Sequence, residues 1–415
     1  MENNTTLKEK IIRYFEENQP RISREITDLV AEMVRQKTVN VVSNKLAEHP
    51  YLEERGEEYR VAEIVKREFE KWSIPFQVHA RHEKRPNVIG NIGSGRNGKI
   101  LFLPGHMDVV PAGEGWNSDP FEPVIEDGKM FGRGTLDNKG PLAAAMMAGK
   151  ILKDVVGDEN IGGLLQVAAL ADEEATDPDG VDYGIEYLLE EGLISPTYAI
   201  VPDVGYNMEK IEIAEKGKVN YKITTRGKQA HGSTPELGVN AIYPMAKVVS
   251  LIEAIKLESK EDPAFDTQAT INLGEIHGGT TSNTVPNQCH IVLDIRIMPD
   301  QTPEGVQKEL EDLCKRVGDD ITVEIMEQSR AHKVNPESVL VKKIQENCKR
   351  VRHHEPGLIG FGGITFAKSL NLNGVEAVGF GPGDDTAFHV ENECVEIRQL
   401  IDFTRIICLI TLDLV

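Results

Sequence analysis

The sequence lacks the features of a membrane protein or an exported protein. No apolar run among its 415 residues approaches the roughly 20 that a membrane-spanning helix needs. Residues 1–10 are polar and carry charges of both signs, unlike a secretory signal. These absences predict a cytoplasmic protein that does not associate with membranes.

Cysteine is scarce as well. The five cysteines are widely spread and form no CxxC pair. Their odd number argues against a disulfide framework and fits a reducing compartment. Their spacing argues against a thiolate zinc site, so any bound metal must be held by histidine and carboxylate side chains.

Basic residues are in deficit. The chain has 46 Lys and Arg against 67 Asp and Glu, which gives a formal net charge of −21. Such a surface repels nucleic acid and anionic membranes, and no Lys/Arg cluster offsets it. The simplest explanation is a solvated acidic surface that aids solubility, and the alternative is a role in binding cations.

The hydrophobic pattern predicts an α/β fold. Helical spacing covers residues 7–37 and 57–72, and short apolar runs typical of strands follow at 87–92, 99–103, 164–170 and 199–201. Strands that alternate with helices indicate a mainly parallel sheet flanked by helices, with ligands at the carboxyl ends of the strands. The pattern changes to a smaller α+β insertion near residue 216, resumes near 336, and ends in a helix expected over 394–412. We therefore expect one domain from residues 1–215 and 331–415, and an inserted domain from 216–330.

One glycine motif has a structural explanation. Residues 93–98 match the GxGxxG pattern, but a dinucleotide site needs a helix directly after it. The next segment is another predicted strand. We interpret the glycines as a hairpin turn between two strands.

Acidic and histidine side chains stand at the ends of several predicted strands. His106 and Asp108 are two residues apart on extended chain and so point to the same side, which lets a carboxylate orient a metal-binding imidazole. Asp137 begins a helix, and Glu173 and Glu174 follow the strand at 164–170. Taken singly, these residues are explained as a loop histidine, a helix cap and a surface acidic pair.

Asp203 and His389 complete the set, since Asp203 also follows a strand and His389 lies in a glycine-rich segment. Carboxylates crowded at one sheet edge would raise one another's pKa, and a pair of metal ions relieves that repulsion. Two ions about 3.5–4 Å apart require one bridging carboxylate.

Three motifs carry a resemblance to a known family. They are His106-Met-Asp108, the run Gly-Arg-Gly-Thr-Leu-Asp-Asn-Lys-Gly at 132–140, and Asp172-Glu173-Glu174. With Ala-His-Gly-Ser-Thr-Pro at 230–235, they resemble the di-zinc peptidase family of aminoacylases, acetylornithine deacetylase, succinyl-diaminopimelate desuccinylase and carnosinase-type dipeptidases. The resemblance extends over nearly the whole chain and implies a zinc-exopeptidase type of fold, in which the insertion serves as a lid or dimerisation domain.

The resemblance implies two divalent ions, Zn²⁺ with Mn²⁺ or Co²⁺ as alternatives. The implied ligands of one ion are His106, Asp137 and Asp203, and those of the other are Asp137, Glu174 and His389. Asp108 would orient His106, and Glu173 would be the general base. The Asp137–Asn138 bond matches the position of a cis peptide in this family.

The resemblance also implies residues that contact the substrate. His231 corresponds to a lid residue that stabilises the oxyanion and, in dimeric relatives, reaches the partner's active site. Asn283 and Arg296 match positions that contact the substrate carboxylate or a nearby carbonyl, and Gly363 and Thr365 lie in a glycine-rich substrate loop that begins at Gly362. A homodimer formed through residues 216–330 is therefore expected.

The substrate class stays open between two branches of the family. Asp203, where many deacetylase and desuccinylase relatives have Glu, favours dipeptides, whereas the compact insertion favours N-acyl amino acids. Both reactions release an amino acid with a free carboxylate. Two other classes fit the sequence less well. A non-catalytic relative would have lost Glu173 or a ligand, and a two-metal phosphoesterase would need basic companions that these motifs lack.

Overall fold

The structure, a computed structural model, describes residues 3–41, 45, 52, 55–175 and 180–415. Among these residues, no helix combines the length and the apolar composition needed to cross a bilayer. The chain forms two compact units. The first comprises the described residues of Met1–Ile213, Val334–Leu358 and Thr365–Val415, and the second comprises Ala214–Lys333 and Ile359–Ile364. The assignment of catalytic and lid roles to these segments stays a prediction.

The elements alternate along much of the chain. The helices are α1 (Asn4–Val34), α2 (Tyr59–Lys71), α3 (Lys139–Val155), α4 (Ile185–Glu190), α5 (Ile242–Ala254), α6 (Pro303–Lys315), α7 (Val339–Arg352), α8 (Phe366–Leu372) and α9 (Ile397–Leu414). The strands are β1 (Phe76–His79), β2 (Asn87–Ile92), β3 (Ile100–His106), β4 (Val124–Glu126), β5 (Lys129–Phe131), β6 (Leu164–Leu170), β7 (Tyr198–Val201), β8 (Lys210–Glu215), β9 (Gly217–Arg226), β10 (Thr270–Gly278), β11 (Gln288–Ile297), β12 (Ile321–Ser329), β13 (His332–Lys333), β14 (Gly357–Phe361), β15 (Glu376–Gly379) and β16 (Cys394–Glu396).

The main sheet of the first unit contains the order β1-β2-β6-β3-β7-β15-β8, and a smaller sheet has the order β16-β5-β4. In the main sheet the central neighbours β6, β3, β7 and β15 run parallel, and the pairs toward both edges are antiparallel. The expected α/β fold with a mainly parallel sheet is thus confirmed. The expected hairpin at 93–98 is wrong, because β6 lies between β2 and β3 and pairs with both.

Helices cover both faces of this sheet. On one face α3 packs against β3, β6, α1 and α9. The Ala143–Ala145 run of α3 is fully buried, which lets its backbone lie close to the sheet. On the other face, α4 and α8 cover apolar side chains such as Phe102 and Leu170. The side chains of a strand alternate between faces, so β3 and β6 contribute to both cores.

The last helix begins later than the sequence pattern indicates. The helix was expected from residue 394, but Cys394–Glu396 form the short strand β16, which pairs antiparallel with β5. Val395 is buried opposite Met130, and the helical spacing starts only at Ile397. A three-residue strand is too short to show a period of its own, so the tertiary pairing decides its conformation.

The second unit contains an antiparallel sheet in the order β10-β11-β9-β12. Its apolar face packs with α5 and α6 around a separate core that includes Tyr221, Ile223 and Leu293. Along β11 the buried residues alternate with partly exposed ones, as expected for a sheet covered on one side only. This antiparallel sheet with its own core agrees with a separate lid.

Candidate functional site

The parallel strands bring the predicted site residues of the first unit to one edge of its sheet. His106 is the last residue of β3, and β6 and β7 lie on either side of β3. Glu173 and Glu174 follow the end of β6, and Asp203 follows the end of β7. The carboxyl ends of adjacent parallel strands meet at the same edge, which is where open α/β sheets bind ligands.

Asp137 lies between two imidazoles. Its Oδ1 is 2.9 Å from Nε2 of His106, and its Oδ2 is 3.1 Å from Nε2 of His389. The Nε2 of His389 is also 3.0 Å from Oε2 of Glu174, and Nε2 of His106 is 3.5 Å from Oδ1 of Asp203. One carboxylate therefore connects the group around His106 with the group around His389.

Two groups of three side chains in this cluster could each hold a metal ion, because the donor atoms within each group lie within 4.8 Å of one another. One group consists of His106, Asp137 and Glu174, and the other of His106, Glu173 and Asp203. Oxygen and imidazole nitrogen are the donors that a zinc-like ion takes when thiolates are absent. Among the described residues, Oε1 of Glu174 is buried without a hydrogen-bond partner, as expected for an atom that binds a metal ion. The residues present therefore fit a pair of divalent ions.

Burial and crowded charge shift the pKa of several side chains in this cluster. Burial and the neighbouring Asp137 raise the pKa of Glu174 to about 7, although His389 opposes the shift. Burial, together with the carboxylate of Asp203, also raises the pKa of Glu173 well above its ordinary value. Hydrogen bonds to Asp137 and Glu174 raise the pKa of His389 to about 10.

The pKa of Asp137 moves the opposite way. Burial alone would raise it, but hydrogen bonds from the two imidazoles of His106 and His389 outweigh burial and lower it. The two imidazoles therefore favour the ionised form of Asp137. Divalent cations would compensate the same negative charge and displace protons from the imidazoles.

Asp108 contacts His106 and also the segment that follows β6. Nδ1 of His106 is 3.0 Å from the backbone oxygen of Asp108 and 3.4 Å from its carboxylate Oδ1. That carboxylate accepts the backbone N–H groups of Glu173 at 3.3 Å and Glu174 at 3.0 Å, as well as Nδ2 of Asn40 at 2.7 Å. Asp108 therefore links the end of β3 to the segment that carries both glutamates.

A buried network of ion pairs and hydrogen bonds holds Asp172, the residue directly before Glu173 and Glu174. It was not predicted from the sequence. Asp172 accepts hydrogen bonds from Arg55 at 2.8 Å and Asn40 at 3.1 Å and forms an ion pair with Arg85 at 2.9 Å. Arg85 also pairs with Glu58, whose side chain is fully buried. The contacts join residues far apart in the chain, so no local pattern could have indicated them.

Glu393 holds the loop that presents Asp137, and it too was missed as a site residue. One of its carboxylate oxygens, Oε1, accepts backbone N–H groups from Gly134 at 2.9 Å, Leu136 at 2.9 Å and Asp137 at 3.1 Å. The other oxygen accepts Nη1 of Arg133 at 2.6 Å. The only available signal was the acidic side chain in the segment Asn-Glu-Cys-Val at 392–395, which does not reveal a role.

Asn138 extends the same loop on its other side. Its Nδ2 donates to the backbone oxygen of Pro202 at 3.0 Å and to Oδ1 of Asp203 at 3.2 Å. The bond between Asp137 and Asn138 is a cis peptide, at the position that the resemblance indicated. The loop is therefore attached to the end of β7 as well as to Glu393.

The other predicted residues lie mostly in the second unit. His231 is exposed, with Nδ1 2.7 Å from Oγ of Ser233, and its segment pairs with the one that carries Asn283, since the N–H of Gly232 donates to the Asn283 oxygen at 2.7 Å. Arg296 contacts the Asp294 carboxylate at 2.8 and 3.2 Å.

The glycine-rich loop is divided between the units. Nη1 of Arg296 donates to the oxygen of Gly362 at 3.4 Å, and Gly363 follows directly in the second unit. Thr365 lies in the first unit, where its Oγ1 caps α8 by accepting the N–H of Ala367 at 3.1 Å. Thr365 is therefore the N-cap residue of α8.

Comparison with known proteins places this geometry in context. A model described as peptidase family M20/M25/M40 matches residues 102–413 of the chain. A metallohydrolase of uncharacterised activity from Methanococcus maripaludis is 31% identical over 419 residues, which cover 92% of this chain and 97% of the relative. A succinyl-diaminopimelate desuccinylase from Nautilia profundicola is 30% identical over 315 residues, with 74% and 83% covered.

A solved structure agrees in fold. The aminopeptidase PepT from Bacillus cereus superposes with a TM-score of 0.70 at 20% identity, covering 94% of this chain and 98% of that one. The match covers most of both units and shows that the two chains share a fold.

Proposed function

Because the chain belongs to peptidase family M20/M25/M40, and is therefore a hydrolase that acts on amide bonds, we propose that it cleaves small peptides, above all dipeptides, with two divalent metal ions. The proposed ligands are His106, Asp137 and Asp203 for one ion, and Asp137, Glu174 and His389 for the other. Zn²⁺ is the proposed metal, since nitrogen and oxygen donors suit it, and Mn²⁺ or Co²⁺ are its alternatives.

The position of Asp137 is the observation that carries this proposal. Each of its two carboxylate oxygens contacts the imidazole of a different histidine, at 2.9 Å and 3.1 Å. A carboxylate that serves two ions must present one oxygen to each side in this way. Glu393 accepts three backbone N–H groups of the loop that carries Asp137, and Asn138 donates to the backbone oxygen of Pro202. These hydrogen bonds hold the Asp137 carboxylate in place.

In the proposed reaction, the bound ions supply Lewis-acid chemistry, which lowers the pKa of a water molecule and polarises the amide carbonyl. Glu173 accepts a proton from the attacking water and then donates it to the leaving amine. Its backbone N–H is fixed by Asp108, so its carboxylate is held at the site from the end of β6. Burial and then the neighbouring carboxylate of Asp203 raise the pKa of Glu173, and bound ions would compensate that negative charge.

For the substrate's carboxylate we propose Arg296, together with Asn283 and the loop at Gly363 and Thr365. The Arg296 guanidinium is about one-third exposed and already held in orientation by Asp294, so it can accept a second carboxylate. Arg296→Met should raise the KM for a dipeptide with a free carboxylate but leave the KM of the corresponding amide nearly unchanged. Equal changes for both substrates would contradict this assignment.

We also propose that the chain forms a homodimer through residues 216–330 and that His231 stabilises the oxyanion in the partner's site. Tyr243 is 70% exposed and Leu237 64% exposed in this unit, which supports an interface there. Mixing His231→Ala with Glu173→Gln, each inactive alone, should restore activity if His231 acts in the partner. A mixture that forms heterodimers but stays inactive would contradict this role.

The substrate class is tested with a panel that pairs free dipeptides with their N-acetyl and N-succinyl counterparts. Metal-loaded protein should cleave the free dipeptides and leave the acylated compounds largely intact. Cleavage of the acylated compounds alone would overturn the dipeptidase proposal and establish the deacylase alternative.

N-acyl amino acid hydrolysis is the second candidate, because the desuccinylase relative is 30% identical over 74% of this chain. The same metal ligands and general base would serve both reactions.

We place either activity in the cytoplasm, where the five free cysteines would remain reduced.

A further inference from the structure

Two histidines face each other on the open side of the sheet in the second unit. His277 of β10 and His290 of β11 are directly paired across the strands, and their ring centroids are 5.2 Å apart. Directly opposed residues of an antiparallel pair lie on the same face, here the face that α5 and α6 do not cover. This pair matched none of the motifs described above.

A carboxylate lies beside the pair. Glu275 is two residues before His277 on the same strand, and its Oε2 is 3.3 Å from Nε2 of His277. Two ligands of a tetrahedral zinc ion, with bonds of about 2.0–2.1 Å, are separated by about 3.3–3.4 Å. The two donor atoms thus already have the spacing that one ion requires.

Both imidazoles line a cavity of about 350 Å³, with Gln229, Gln288 and Thr284 also on its wall. Burial, the positive charge of Lys222 and the neighbouring His277 lower the pKa of His290. A neutral imidazole is the form that binds a metal ion. Completing the site requires the His290 ring to turn a nitrogen toward the pair of donors.

The cavity adjoins the loop that carries a proposed substrate contact. Residues 279–287 connect β10 to β11 and include Asn283, and His231 pairs with Thr284 of the same loop. His277 and His290 stand at the base of this loop, one on each strand. An ion bound there would tie the two strands together directly below it.

We propose that His277, His290 and Glu275 bind one divalent transition-metal ion of the zinc class, with water as the fourth ligand. Two imidazoles and one carboxylate form a ligand set that zinc takes in proteins. The site is separate from the ligands at Asp137, and it would stabilise the loop at 279–287 without supplying a reacting group.

The test counts zinc ions. Wild-type protein and the double variant His277→Gln/His290→Gln are dialysed against the same buffered free Zn²⁺, and zinc per chain is measured by mass spectrometry. The wild type should hold one more equivalent than the double variant. Equal zinc contents would overturn the proposal, whatever number the candidate catalytic centre binds.

A matched control changes the same number of histidines elsewhere. His353→Asn/His354→Gln alters two exposed histidines after α7, and it should keep the wild-type zinc content. In protein with ¹³C-labelled histidine, Zn²⁺ should shift two signals that are missing from the double variant. Glu275→Ala should weaken this additional binding, and an unchanged affinity would contradict the role of Glu275 as a ligand.

Discussion

Glu393→Gln tests whether the hydrogen bonds between Glu393 and the loop that carries Asp137 matter for metal binding. The substitution keeps the size of the side chain and one oxygen that can accept the three backbone N–H groups. It removes the negative charge and turns an NH₂ donor toward Arg133, which is itself buried with 1% of its surface exposed. The change therefore weakens the contacts of residue 393 with Arg133 and the Asp137 loop without leaving a cavity.

The magnitude follows from two contributions. Removing one partner of a buried ion pair costs about 3–5 kcal/mol, because the guanidinium of Arg133 stays buried without a counter-charge. Hydrogen bonds to a charged acceptor are roughly twice as strong as those to a neutral one, so the three backbone contacts also weaken. Substitution of a residue that orients a metal ligand typically lowers metal affinity by about 10–100-fold, or about 1.4–2.8 kcal/mol. We expect an affinity loss in that range and a lower stability in urea.

The assay is a competition between the protein and a chromogenic chelator for Zn²⁺. It is done without denaturant, at a temperature at which both variants are folded. Glu391→Gln is the matched control, because it makes the same chemical change two residues away on an exposed side chain. The control should bind zinc as the wild type does. Unchanged zinc affinity in Glu393→Gln would refute the reasoning that this carboxylate positions Asp137.

Two further predictions use the same geometry. Zinc binding to metal-free protein at pH 7 should release about two protons from the imidazoles and a further fraction from Glu174. Hydrogen bonds to carboxylates raise the pKa of His106 well above its usual value despite burial, and that of His389 to about 10, while burial raises the pKa of Glu174 to about 7. Metal affinity should therefore rise with pH, and calorimetry in buffers of different ionisation enthalpy measures the number; no net release would contradict the two imidazole ligands. Gly140→Ala should destabilise the protein strongly, since a Cβ there would lie 2.0 Å from the backbone oxygen of Thr135, whereas Gly318→Ala, where a Cβ meets open space, should be tolerated. Urea unfolding compares the two, and equal midpoints would show that the turn before α3 can relax.

Regular elements could be predicted where the sequence has a strong local pattern. The strands at 87–92 and 164–170 have the expected bounds because each is a short, mainly apolar run with a glycine next to one of its ends. The order of the strands could not be predicted in the same way. The position of β6 between β2 and β3 depends on pairings between distant segments, which a local period does not report.

The candidate site shows the same division. His106, Glu174 and Asp203 could be expected together, because the ends of adjacent parallel strands meet at one edge. Their supports could not: Asn40 reaches Asp108 over 68 positions, and Glu393 reaches the N–H of Asp137 over 256. An isolated polar residue in a loop carries no sign of such a partner. The roles proposed for the site residues stay predictions.

The most direct test of the two-metal amide hydrolase combines metal content with turnover in two variants. Glu173→Gln should retain the metal content of the wild type at the candidate centre but lose about 10²–10⁴-fold in kcat, because it removes the proton acceptor. Asp137→Ala should lose metal and turnover together, because it removes the carboxylate between the two histidines. If Glu173→Gln kept near-normal turnover, or if Asp137→Ala kept both ions, the account would be contradicted.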